Sequence, residues 1–376
     1  MSTNLRGKER IGYCILLVLN LVLALFLRSR TVPFFDIPIF GPLAVFRVFF
    51  AAALFYTFLA LFVLKYPEIQ EGHWKIKVLM LILFTMMSAF MPSNLFVFYG
   101  RISQFVGGFF LFCSIIYLID FSYTINQKWI SKAEEEEARF GQTRHYLYNF
   151  ILSSLIILGS LIFIIVLFNL YESCQKLSTV LVFAIIFIVI SVVSSITSPD
   201  ASIFGGAIVI CYIAFLSFSC MSALREPHCN PFYNDEEGNK VAFYTSVAIA
   251  IFSISYCCIN TSWNSAKRDS DGGKRYGTAT MGQADEVESQ SEDSEEEPCY
   301  SYTLFNSTMI AACSYAAMIL TDWKYDSDHS SAQFGFGDTA FYVRVASMVA
   351  TFALFQWTSW APTLFPDREF KWSVKE

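Results

Sequence analysis

Few side chains in this 376-residue chain could do chemistry at a depth where lipid would surround them, and they share one character. Within or beside long apolar runs lie Asn20, Arg47, Lys77, Arg101, Gln104, Asp120, Asn169, Asn260, Asn306 and Arg344. A charge in hydrocarbon is costly, so such groups face protein or water, pair with one another, or mark the route of a polar ligand. For Lys77, Asn169 and Asn260 an ordinary role suffices: they link helices or snorkel from a helix end. Arg47 and Asp120 resist that reading, because each opens or closes a long apolar run with no opposite charge beside it. They fall toward opposite membrane faces, so the expected partners are Asp36 for Arg47 and Lys77 for Asp120.

Enzyme chemistry finds no support. The four histidines (His73, His145, His228, His329) are scattered, and neither a nucleophile elbow nor a phosphate-cradling glycine loop occurs. We therefore expect no catalytic residue, no metal and no cofactor. Of ten cysteines most fall within spans, where a small polarisable core residue is the ordinary role. Cys174 and Cys229 lie in connections assigned below to one outer face, and two thiols on an oxidising face invite a disulfide. The sequons at Asn260 and Asn306 sit at a membrane face and inside a span, so neither is expected to carry a glycan.

The elements that must position these groups are membrane helices. Hydrophobic residues make up 55% of the chain and charged ones only 15%, against about 25% in a typical soluble domain. The expected class is an all-α polytopic membrane protein with ten spans: 11–27, 43–64, 74–91, 95–121, 147–170, 179–196, 203–224, 241–259, 301–320 and 339–360. The fourth organises the rest: its apolar part is roughly 40 Å long, beyond the ~30 Å of hydrocarbon, so it must tilt or protrude. Its polar stretch continues to Trp129.

If both ends are cytoplasmic, seventeen basic residues fall inside and six outside, which sets that orientation. The net charge of -6 owes much to one run, 285–297, and no nucleic-acid partner is expected. Residues 1–263 and 300–376 are expected to form the membrane domain, and the acidic, glycine-containing stretch 264–299 a disordered cytoplasmic loop. Ser289, Ser291 and Ser294 among its acids are candidates for phosphorylation.

Several short motifs then point one way. Leu118-Ile119-Asp120-Phe121 with Asn126 and Trp129 resembles a segment of the serine incorporator family. In the family's order follow Phe46-Arg47, Gly72 to Lys77 with Met91-Pro92, Glu226-Pro227 with Cys229-Asn230-Pro231, Tyr300-Ser301-Tyr302 with Phe305, Leu320-Thr321-Asp322-Trp323, and Trp357-Thr358 with Ala361-Pro362 before Arg368. The resemblance runs from about Leu43 to Phe370. It implies two helix bundles flanking a long diagonal fourth helix, and a protein of the plasma membrane or an endomembrane.

It also implies a function among membrane lipids: ATP-independent phospholipid scrambling, or as the alternative a serine carrier or scaffold supporting phosphatidylserine and sphingolipid synthesis. The partners would be phospholipids, sphingolipids, free serine, lipid-synthesis enzymes and a second copy of the chain. By the resemblance the lipid- or serine-binding positions are Arg47, Asp120, Asn126, Trp129 and Arg344; Lys77 joins them as a polar group that could line a hydrated furrow. Three features depart from the family pattern: no cysteine-rich N-terminal segment is seen, the connection between spans one and two is short, and Asn260 stands where a basic residue is usual.

Overall fold

The computed structural model describes residues 2–29, 42–140, 144–171, 174–198, 202–224, 226, 229–230, 243–256, 298–323 and 338–365. Among them are ten α-helices and no strand: α1 (Ser2–Ser29), α2 (Pro42–Val63), α3 (Trp74–Phe90), α4 (Ser93–Phe140), α5 (Arg144–Leu170), α6 (Gln175–Thr197), α7 (Ile203–Ala223), α8 (Phe243–Tyr256), α9 (Pro298–Leu320) and α10 (Asp338–Leu364). Eight are long and apolar enough to cross a membrane. At 17 residues α3 is at the short limit for a span. Asp36, Asn260, Ser289, Ser291 and Ser294 lie outside the described residues.

The fourth helix is longer than expected. It starts just after Pro92 and runs 48 residues to Phe140, about 72 Å, well past Trp129. The added length, Ile130 to Phe140, is rich in Ala, Glu and Lys, strong helix formers that need no apolar surroundings. Its charged residues read as a connection by hydropathy, but helix propensity carries the rod through them.

The chain divides within this helix into two compact units, Met1–Ser103 with Ile254–Ala317, and Gln104–Ser253 with Met318–Glu376. In unit one α1 packs on α2 where the Tyr56 hydroxyl donates to Tyr13 O (3.2 Å), and Tyr13, Leu17 and Leu21 of α1 and Ala52, Phe55 and Tyr56 of α2 are all buried. The Trp74 ring leaves room only for hydrogen at Gly12, where a Cβ would stand 2.5 Å from it.

In unit two large apolar residues cover the outer faces as well as filling the core, and small polar residues share the interior with that core. On α5, Ser153 and Ser160 are buried while Leu155, Leu158, Ile162 and Ile165 are exposed. On α6, Ser191, Ser194 and Ser195 face inward and Val189, Ile190, Val193 and Ile196 outward. Small polar residues let helix backbones approach where lipid already solvates the large apolar ones. At the closest approach a Cβ on Gly206 of α7 would lie 2.1 Å from Ser195 Oγ. Ile188 of α6, Ile210 of α7 and Phe355 of α10 fill the core beside it.

Candidate functional site

The expected site residues divide between the units, and the geometry of each is local. In unit one Arg47 is 4% exposed, and its Nη1 donates to the carbonyls of Ser88 (2.6 Å) and Ala89 (2.7 Å) while the guanidinium lies 4.6 Å from the Phe96 ring centre. These carbonyls end α3, where the helix dipole and unbonded oxygens favour a cation. Asp36, the expected partner, lies outside the described residues; among those described, a helix end holds the charge.

Lys77 likewise finds partners other than Asp120. Its Nζ donates to Gln70 O at 2.8 Å and sits about 5 Å over the rings of Tyr13 and Trp74. Gln70 is the hub: its carbonyl also accepts from Tyr13 Oη (3.0 Å), and its side-chain oxygen accepts from Asn306 Nδ2 (3.0 Å). Next to it the Gly72 N–H donates to Glu9 Oε1 (3.3 Å), and Tyr302 Oη donates to Glu71. Gly72 and His73 both have positive φ (74° and 53°), which turns the chain sharply from this cluster into α3. Glu9 Oε2 and Asn306 Oδ1 are buried without a hydrogen-bond partner.

In unit two a groove of about 410 Å³ runs along α4 and α10, walled by Gln104, Phe105, Gly108, Leu111, Phe112 and Ile115 on one side and by Trp323, Thr339, Val343, Ala346, Ser347 and Ala350 on the other. Its lining is almost wholly apolar. Gln104 Nε2 donates to Trp323 O (2.9 Å) at one end, so the amide is already engaged. Asp322 and Trp323 both adopt left-handed backbone (φ 51° and 60°), costly for residues with a Cβ, and the Trp323 N–H bond to Met318 O (2.9 Å) holds that turn. Ser347 Oγ turns back to its own helix at Val343 O.

Arg344 is on α10 but outside the groove lining. Its Nη1 donates to Ser219 O and to Ser222 Oγ (3.3 Å) at the end of α7, and the Asp322 carboxylate lies near enough to act on its charge. Asn126 is buried and accepts from Asn149 Nδ2 (3.0 Å), and Trp129 packs on Phe204 with ring centres 5.2 Å apart. Asp120 and Arg101 occupy exposed positions on α4. Within its own unit each of Arg47, Lys77, Asn126, Trp129 and Arg344 serves a different local contact.

Cys174 and Cys229 form a disulfide, with Cα atoms 5.3 Å apart. It joins the α5–α6 and α7–α8 connections, which the charge distribution had assigned to one face. Lys176 Nζ meets Glu226 Oε1 beside it (2.9 Å). Glu226 and the two sulfurs cluster as metal ligands do, but oxidised sulfur offers no thiolate, so this geometry describes a covalent tie and not a metal centre.

Sequence reasoning missed Gln70, which sits in a short polar connection with no distinguishing signal. Asn306 was read as an intramembrane amide and Tyr302 as part of a motif, but their meeting at Gln70 and Glu71 depends on tertiary contacts 230 residues apart in scale, at separations of 236 and 231.

The comparisons with known proteins agree with the motifs. The family model described as serine incorporator matches residues 1–368. The chain belongs to the serine incorporator family. The match takes in residues 1–42, which the motifs had left outside. It is similar to a probable serine incorporator of Nematostella vectensis (24% identical, covering 88% of this chain and 81% of the relative) and one of Monosiga brevicollis (27%, 88% and 79%). Human serine incorporator 2 is 25% identical over 80% of this chain and 72% of its own length. Membership in the serine incorporator family fits a multi-pass helical protein with apolar spans and a disulfide.

Proposed function

We propose that this chain passes phospholipids between membrane leaflets without ATP, binding lipid and catalysing no bond change. The observation that supports it is the α4–α10 groove: an apolar trough on a membrane helix pair, of a volume that suits a small ligand or lipid chain. Gln104 and Ser347 of its lining hydrogen-bond within the protein, so lipid enters by shape. The reading includes phospholipids and sphingolipids as partners, a plasma-membrane or endomembrane location, and both termini in the cytoplasm.

The test is reconstitution of the full chain into liposomes holding a fluorescent phospholipid, followed by an impermeant quencher. Transfer exposes the inner-leaflet label; label that stays confined to one leaflet overturns the reading. Gly108→Leu sharpens it, because a Cβ at Gly108 meets nothing within 4 Å and the side chain would fill the groove rather than break the fold. Transfer should slow at least several-fold with the melting temperature unchanged.

A second reading draws on unit one and on the relatives' name. Lys77 and Glu9 lie within electrostatic range of each other around the Gln70–Gly72 backbone, and Glu9 Oε2 has no partner. An amino acid such as serine could place its carboxylate toward Lys77 and its ammonium toward Glu9, which suits a carrier or scaffold serving lipid-synthesis enzymes. Labelled serine binding to the same liposomes, lost in Lys77→Met and Glu9→Gln, would support it; no binding removes it.

A further inference from the structure

Glycine and alanine on membrane helices ordinarily let two backbones close up, as at Gly206 of α7, where a Cβ would lie 2.1 Å from Ser195 Oγ. Gly108 of α4 does the opposite: a Cβ built there meets nothing within 4 Å. It shares the walls of the 410 Å³ groove with Ala346, Ser347 and Ala350 of α10, all small. The two helices thus carry the residues of a close contact and yet stand apart. In a membrane, lipid fills such a space, and the shape and polarity of the walls select which kind.

Both walls extend about 16 Å, from Gln104 to Ile115 on α4 and from Thr339 to Ala350 on α10. The small residues make a shallow, even floor. Phe105 and Phe112 fall on the same stripe of α4 with Gly108 between them, and both stand exposed (82% and 43%) as ridges beside that floor.

Polar side chains able to meet a ligand occupy one end. Gln104 Nε2 donates to Trp323 O, which can only accept, so the amide keeps Oε1 as an acceptor. Thr339 lies at an exposed position with a hydroxyl that both donates and accepts. Arg344, little more than a turn past Thr339, is in range of Asp322 beside Trp323, so Gln104 and Thr339 mark the same end of the groove. Among the described residues that line it none is charged, and Arg344 turns to α7.

A phospholipid in transit lays only a chain here and keeps its phosphate outside, because these walls offer no cation. A chain has no use for the amide and the hydroxyl, and it loses rotamer freedom when laid straight, whereas a fused-ring body has little to lose. We infer that the α4–α10 groove holds a sterol, its ring plate over Gly108, Ala346 and Ala350 and its hydroxyl at Gln104 and Thr339. The inference rests on the reading of this groove as the lipid site and adds a regulator to it: a sterol seated there excludes the phospholipid chain and slows transfer.

The experiment uses the full chain in phosphatidylcholine vesicles with a trace of diazirine-bearing cholesterol. Irradiation should label peptides from 104–115 and 339–350 above all other spans. Excess cholesterol should cut that label at least several-fold, while a long-chain fatty alcohol leaves it. Gly108→Leu should lower the label to a similar degree with the melting temperature unchanged, and Thr339→Val, which removes a hydroxyl with little change of shape, should weaken it without touching the floor. Label spread evenly over the exposed spans overturns the proposal, and so does label that survives both substitutions. A fatty alcohol that competes as well as cholesterol makes the occupant a flexible chain and overturns it too. Sterol-free vesicles report phospholipid transfer separately, so absent transfer beside site-specific, competed labelling removes the transfer reading and keeps the sterol site.

Discussion

Arg47 in unit one and Arg344 in unit two are both arginines within spans, and they are held by different means. Arg47 is enclosed: two carbonyls at a helix end and an aromatic ring surround it, and one N–H is left over. Arg344 is half-buried and shares its charge with a carbonyl, a hydroxyl and the nearby Asp322. The contrast extends to their surroundings. Unit one leaves Glu9 Oε2, Arg47 Nε and Asn306 Oδ1 without hydrogen-bond partners, whereas in unit two, where Ser114 Oγ is unmatched too, Ser160 and Ser195 return to their own helices, Ser194 and Ser198 bond across to α10, and a disulfide is added. Unmatched buried atoms suggest ligands; matched ones suggest packing. Polar residues in membrane spans therefore need their hydrogen bonds counted before any is given a transport role.

Five variants would break or sharpen this contrast. The largest effect is expected from Cys174→Ser with Cys229→Ser, since a closure across a separation of 55 residues contributes up to about 4 kcal/mol; thermal unfolding should shift, and the mobility difference between reducing and non-reducing gels should disappear. Arg47→Ala follows, at about 3 kcal/mol, because it leaves two α3 carbonyls without a donor; denaturation in detergent measures it. If Arg344→Ala costs as much, the distinction between enclosed and shared arginines fails.

Gly206→Ala should cost about 1–3 kcal/mol by driving a methyl into Ser195. The smallest effect belongs to Gly108→Ala, expected within about 0.5 kcal/mol of zero. A loss at Gly108 similar to that at Gly206, read from the same melting curves, would mean that the groove is not open space.

Much of the fold was legible because lipid imposes a simple rule, that long apolar runs become helices. The run from Leu95 to Phe121 identified α4, and basic residues placed Cys174 and Cys229 on a common face, where the structure joins them. The helical stretch from Ile130 to Phe140 was not legible, since hydropathy cannot separate a charged helix from a charged loop. Partners were the least legible. Arg47 and Lys77 are met by main-chain carbonyls, which every residue has and no sequence motif announces. Asn126 and Trp129 were singled out as positions within a motif, but Asn149 and Phe204, which meet them, carry no signal of their own.

The sulfur bridge has a practical outcome for anyone who cuts this molecule. A protease that nicks the backbone anywhere between residues 175 and 228 produces two fragments still tethered to each other, since the bond from Cys174 to Cys229 straddles the break. Such a nicked sample would migrate as an intact chain until a thiol reagent is added, and only then fall into pieces.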